Sequence, residues 1–175
     1  MADDQQTPSF DTTREMPQGG NLPIAIHAQY VKDLSFENPN TPESLRGGKT
    51  MPVMDVNIGM DARKIADDKI PFLNEVVLNV RAEAKRDDKV VFIAELQYGV
   101  TASLNDMPEE SHHPVLLIEI PRLAFPYARQ ILSDMTVQGG YPPLLLNPVD
   151  FQALYMDRFK DEIEKARAEA AAGAA

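Results

Sequence analysis

The stretch from Phe72 to Val100, FLNEVVLNVRAEAKRDDKVVFIAELQYGV, leaves this chain little freedom of fold. Read with a period of two, Phe72, Val76, Leu78, Val80, Ala82 and Ala84 lie on one side, opposed by Glu75, Asn79, Arg81, Glu83 and Lys85. Beyond Asp87-Asp88 the alternation resumes, with Val90, Phe92, Ala94, Leu96 and Tyr98 inward and Val91, Ile93, Glu95 and Gln97 outward. A link as short as KRDDK joins two such runs only as an antiparallel hairpin.

Two further strands precede the hairpin. In the first, predicted over 24–37, Ile24, Ile26, Ala28, Tyr30, Leu34 and Phe36 share a parity interrupted only by Lys32, and Asn38-Pro39 and Thr41-Pro42 end it. The second sets Met54, Val56, Ile58 and Met60 against Val53, Asp55, Asn57 and Gly59. After a predicted loop containing NDMPEESHHP, the period becomes helical. RLAFPYARQILSDMTVQ carries Leu123, Tyr127, Ile131 and Met135 at every fourth position, Pro126 is expected in its first turn or at a kink, and Gly139-Gly140 stops it. A second helix is expected from Asn147 as N-cap, with Pro148 at its first position, Asp150 at its third, and an apolar stripe of Phe151, Leu154, Tyr155, Phe159 and Ile163. The fold class is therefore α+β, a four-stranded antiparallel sheet followed by two helices packed on one face, the other face being solvated and acidic.

At 175 residues the chain suits one domain. Residues 1–22 read as a disordered tail, and 161–175 as a helix end running into a flexible Ala-rich tail. Asp3 and Asp4 stand where a secretory signal carries positive charge, and no apolar run follows before Pro23, so a cytoplasmic location is expected. The absence of cysteine excludes disulfides and thiolate chemistry. No stretch approaches 18 apolar residues, so no membrane insertion is expected. A net charge of −10 argues against nucleic acid; it suits a basic protein partner, or serves only to keep the protein soluble.

Motifs for catalysis are weak. GGKT at 47–50 ends like a phosphate-binding loop, but Glu43 occupies the position of its first glycine. Glu109, Glu110, His112 and His113 lack the spacing of a metal site. Asp33 and Glu37, four residues apart at about 3.3 Å each, are separated by roughly 13 Å, beyond the roughly 9.5 Å over which paired carboxylates act together. No serine stands in a nucleophile elbow. The residues point to no enzyme, cofactor or metal. What they leave unexplained is an outer face in which Asp33, Glu37, Asp55, Glu75, Glu83 and Glu95 mingle with Val31, Val77, Val91 and Ile93.

YVKDLSFENPNTP at 30–42, NEVVLNVRAEA at 74–84, VVFIAELQYGV at 90–100 and LAFPYARQILSDMTVQGGYPPLLLNPVDFQALY at 123–155 together resemble the SecB protein-export chaperones. The resemblance covers roughly residues 24–160 in unbroken order, so residues 23–160 are taken as a SecB-like chaperone domain. It implies a homotetramer, a dimer of dimers with the long first helices between the dimers. It also implies a cytosolic protein that holds unfolded precursors without nucleotide hydrolysis and passes them to the SecA motor. The family's SecA-docking positions map onto Asp33, Glu37, Ile93 and Glu95. By position, Tyr30, Met54, Val56, Ile58, Phe92 and Phe151 are expected near a client groove. Many members carry a tryptophan in the connector after the first strand; this chain has Thr50-Met51 there, and methionine suits a promiscuous binding surface. A SecB-like chaperone dedicated to a toxin–antitoxin or stress system would share every motif.

Overall fold

The computed structural model describes residues 23–48, 50–161 and 163–165; the two predicted tails lie outside these residues except for the helix end at 161 and 163–165. Four strands, β1 (Ile24–Glu37), β2 (Val53–Lys64), β3 (Leu73–Arg86) and β4 (Lys89–Leu104), form one antiparallel sheet in the order β1-β4-β3-β2. Asp87 and Asp88 both adopt positive φ, 49° and 59°, as the tight turn between β3 and β4 requires. The sheet is thus the predicted one, with the hairpin at its centre.

Its register departs from simple alternation in two strands. β1 carries one-residue irregularities between Ile26 and Ala28 and between Val31 and Asp33. Each reverses the parity, so Ile24, Ile26, Leu34 and Phe36 face the helices while the middle of the strand is turned over. Tyr30 pairs with Gly99 on the outer face, and Val31 pairs with Tyr98 on the helix-side face, the reverse of the sequence expectation for both. In β4 a shift beside Ala84 withdraws Val91 from the outer face and buries it with the core. Phe72, expected inward, precedes β3 at φ 52° and remains partly exposed, edge-on to His112 at 5.1 Å.

The helical region begins earlier than predicted. EESHHP is not a loop but a short helix, α1 (Glu109–Pro114), with Glu109 and Glu110 favourably placed in its first turn. A widened turn over Val115–Glu119 leads directly into α2 (Ile120–Gln138), the Ile120 amide bonding the Val115 carbonyl. Pro114 and Pro121 bracket this turn, each withdrawing a donor from the ladder. Pro126 lies beyond the first turn, inside α2. The face of α2 on the sheet is Ile120, Ala124, Ala128 and Leu132, not the row of Leu123 and Tyr127, which are half exposed. Alanines at the contact allow the helix backbone to approach β3 and β4 closely, so Leu123 and Tyr127, each one position before an alanine, point outward.

α2 stops at Gly139; Gly140 takes φ 88° and the Tyr141 amide bonds the Thr136 carbonyl, closing a glycine-terminated end. An extended segment over 141–150 leads to α3 (Phe151–Arg158). The cap of α3 is Asp150, whose side chain accepts from the Ala153 amide at 2.9 Å, rather than Asn147. The expected stripe of α3 is present, with Phe151 and Tyr155 buried and Leu154, Phe159 and Ile163 packed against the core. No described helix is long and apolar enough to cross a membrane.

Candidate functional site

The outer face of the sheet is an ordered grid, because directly paired residues of adjacent strands share a face. Three successive rows run Asp33, Gln97, Asn79, Gly59; then Ser35, Glu95, Arg81, Asn57; then Glu37, Ile93, Glu83, Asp55. Asp33, Glu37, Ile93 and Glu95 therefore form one contiguous patch spanning β1 and β4, with Glu95 diagonal to both Asp33 and Glu37. Sequence reading missed Arg81. Its Nε donates to Glu95 Oε1 at 2.8 Å and its Nη2 pairs with Glu83 Oε2 at 2.7 Å, while Lys85 Nζ reaches Glu83 Oε1 at 2.8 Å. Glu83 is held below the ordinary glutamate range by hydrogen bonds from Lys85 and then Arg81. The alternation did place Arg81 and Glu95 on one face; their direct pairing needed the register.

Further along the same face Glu75 is buried to 4 % exposure, although its position marked it as a solvated acid. Lys32 donates to both its oxygens at 2.9–3.0 Å, Arg63 pairs with Oε2, and the Tyr30 hydroxyl donates to Oε1. The Tyr30 hydrogen bond, followed by those of Lys32 and Arg63, outweighs burial and lowers Glu75 to about 2. Burial first, then the bond and charge of Glu75, raise Tyr30 to about 12. In this cluster two cations and a neutral hydroxyl surround one carboxylate, leaving a net charge of +1, and it is a strut of the face.

On the opposite, helix-side face lies a groove of about 700 Å³. Met54, Val56 and Ile58 of β2 form its floor; Leu145 and Val149 of the extended segment and Leu154 of α3 form its wall. The wall is positioned by the Leu144 amide donating to Thr136 Oγ1 at 2.9 Å. Three residues expected here lie elsewhere. Phe151 is a core residue, 1 % exposed and edge-on to Phe125. Phe92 is buried between Phe36 and Tyr141, with ring centroids at 5.6 and 5.0 Å. Tyr30 is on the other side of the sheet because of the β1 irregularities. The wall residues went unread, yet PPLLLNP, apolar residues between prolines, signalled a segment that neither a helix nor a central strand could absorb.

The histidines have structural partners. His112 Nε2 lies 3.1 Å from the Met107 carbonyl, and His113 Nδ1 lies 2.9 Å from the Tyr155 hydroxyl with its ring edge-on to Phe159, so His113 joins α1 to α3. Gly48 packs on Arg86, whose Cδ would stand 2.6 Å from an added Cβ.

Comparison with known proteins identifies the family. A family model described as preprotein translocase subunit SecB matches residues 18–162. The protein-export protein SecB of Maricaulis maris is 48 % identical over 155 residues, covering 89 % of this chain and 85 % of that one. Those of Rhodospirillum centenum and Agrobacterium fabrum are each 44 % identical, over 89 % and 91 % of this chain and 90 % and 98 % of theirs. Among solved structures, the SecB-like chaperone Rv1957 of Mycobacterium tuberculosis, in complex with a ChAD peptide from the Rv1956 HigA1 antitoxin, shares the fold. Its TM-score is 0.57 at 14 % identity, over 72 % of this chain and 87 % of that one.

Proposed function

The chain belongs to the SecB family and is a protein-export chaperone, not an enzyme; from that premise we propose that it holds unfolded precursors in the Met54–Val56–Ile58 groove and delivers them to SecA through the Asp33–Glu37–Ile93–Glu95 face. The observation that carries the reading is the placement of two different surfaces on opposite sides of one sheet, the groove apolar and the outer patch charged. An extended apolar client segment gains about 25 cal/mol for each Å² it removes from water in the groove. Delivery then requires no nucleotide hydrolysis by this chain, since a partner docked on the opposite face can take over a client held by many weak contacts.

The half-exposed Leu123 and Tyr127 of α2 suit burial against another copy, which supports a homotetramer in which these helices meet; on this reading it works in the cytosol. The antitoxin-dedicated reading rests on a likeness of fold at 14 % identity, whereas the export relatives stand at 44–48 %, so the export reading is preferred. Its test is suppression of aggregation of a chemically unfolded precursor, with and without SecA, together with the native mass of the complex. A monomer without effect on aggregation would overturn it.

A further inference from the structure

Arg81 stands on β3 directly across from Glu95 on β4, and at 42 % against 48 % exposure both side chains remain in contact with solvent. A surface ion pair of this kind contributes little to folding, so stability accounts for the pairing of Arg81 with the buried Glu83 but not for its reach to Glu95. The guanidinium spans two carboxylates. Nη2 is committed to Glu83, whose second oxygen is already taken by Lys85, and Nε takes one oxygen of Glu95, Oε1. Lys85, Glu83 and Arg81 thus form a chain along β3 that turns onto β4 at Glu95.

Two consequences for docking have opposite signs. Arg81 adds positive charge beside Glu95 and so reduces the attraction that Glu95 offers a basic partner. It also restrains a side chain that otherwise samples several rotamers, and ordering such a side chain at an interface costs binding energy. The first effect is screened, since these charges are half exposed and the Debye length is about 8 Å at physiological salt. The second is not. The planar two-point fork of arginine, anchored on Glu83, is well suited to hold a carboxylate in one place.

We propose that Arg81 is a positioning residue of the docking face: by bridging Glu83 and Glu95 it holds the Glu95 carboxylate in the row of Ser35, between Asp33 and Glu37, where basic side chains of SecA meet the three acids in successive rows. The inference rests on the docking reading above and names a residue that reading does not contain.

The experiment measures SecA affinity of the full chain for R81Q, R81K, E95Q, R81Q/E95Q and E37K, at low and at high salt, with client holding and thermal midpoint alongside. R81Q is expected to weaken SecA binding about 2- to 10-fold and to keep part of that loss at high salt. R81K, which cannot span both carboxylates, recovers part of it. In the E95Q background R81Q adds nothing to the loss of SecA affinity, and client holding does not move; any fall in thermal midpoint from the lost Glu83 pair is the same in both backgrounds. Tighter binding by R81Q, or the same loss in the E95Q background, overturns the inference. R81Q at the parent affinity beside a weakened E37K overturns it alone, whereas unchanged affinity in E37K removes the docking reading itself.

Discussion

The ring of Tyr30 lies across Gly99 of the neighbouring strand, so close that a Cβ on Gly99 would stand 2.5 Å from ring Cε2 and 2.6 Å from Cζ. Only a residue without a side chain lets the ring cross β4 and reach Glu75 on β3, and the ring is tethered there by its hydroxyl. Gly99→Ala is therefore expected to destabilise the protein by about 1–3 kcal/mol, read by denaturant unfolding. In a Tyr30→Ala background the same change should cost much less; equal costs in both backgrounds would contradict the contact.

Glu75 makes stability depend on pH in acid. Its carboxyl is lowered from 4.5 to about 2 in the folded chain, so the unfolded chain takes up the proton first as pH falls. The stabilisation is complete above about pH 5 and is lost between there and pH 2, on the order of 3 kcal/mol in total. Glu75→Gln should flatten that part of the pH profile of the unfolding free energy. Tyr30, raised to about 12, acts at the other end: stability should fall from pH 10 towards 12, and Tyr30→Phe should remove the fall.

Val56 and Phe151 separate groove from core. Val56→Asp, on the partly exposed floor, should reduce suppression of client aggregation severalfold while leaving the melting point within about 2 °C, since substitutions at exposed positions usually change stability by about 0.5 kcal/mol or less. Phe151→Ala should instead cost about 3–5 kcal/mol of stability by opening a cavity beside Phe125. Loss of client holding by a fully stable Phe151→Ala would return that residue to the groove.

Charge reversal at Glu37, which pairs with Ile93 at the edge of the outer patch, should weaken SecA binding about tenfold or less and reduce its dependence on salt, with client holding intact. Unaltered SecA affinity would remove this face from the docking role. Surface plasmon resonance at two salt concentrations is sufficient.

Asp150→Ala removes the bond to the Ala153 amide and should lower stability by about 1 kcal/mol. Asn147→Ala, three residues before the true cap, should cost less than half as much. The two variants compared by thermal unfolding locate the start of α3 in solution.

Period-two alternation sufficed for four strands, and the two aspartates at 87–88 for the hairpin, because these depend on local backbone geometry and on which face meets water. The same alternation put Asp33, Glu37 and Glu95 on one face, where the register confirms they lie. It went wrong at Tyr30, Val31 and Val91, because an extra residue in a strand reverses every side chain after it and is detectable only against the partner strand. The row of Leu123 and Tyr127 was legible as helix, but which row met the sheet was decided by Ala124 and Ala128, where closeness of approach outweighs side-chain size. The groove wall and the bridge from Arg81 to Glu95 join residues distant in the chain, so only the assembled sheet could bring them together. Local periodicity determines what each segment becomes; the function proposed here depends on which segments pair, a choice made by packing over long sequence separations.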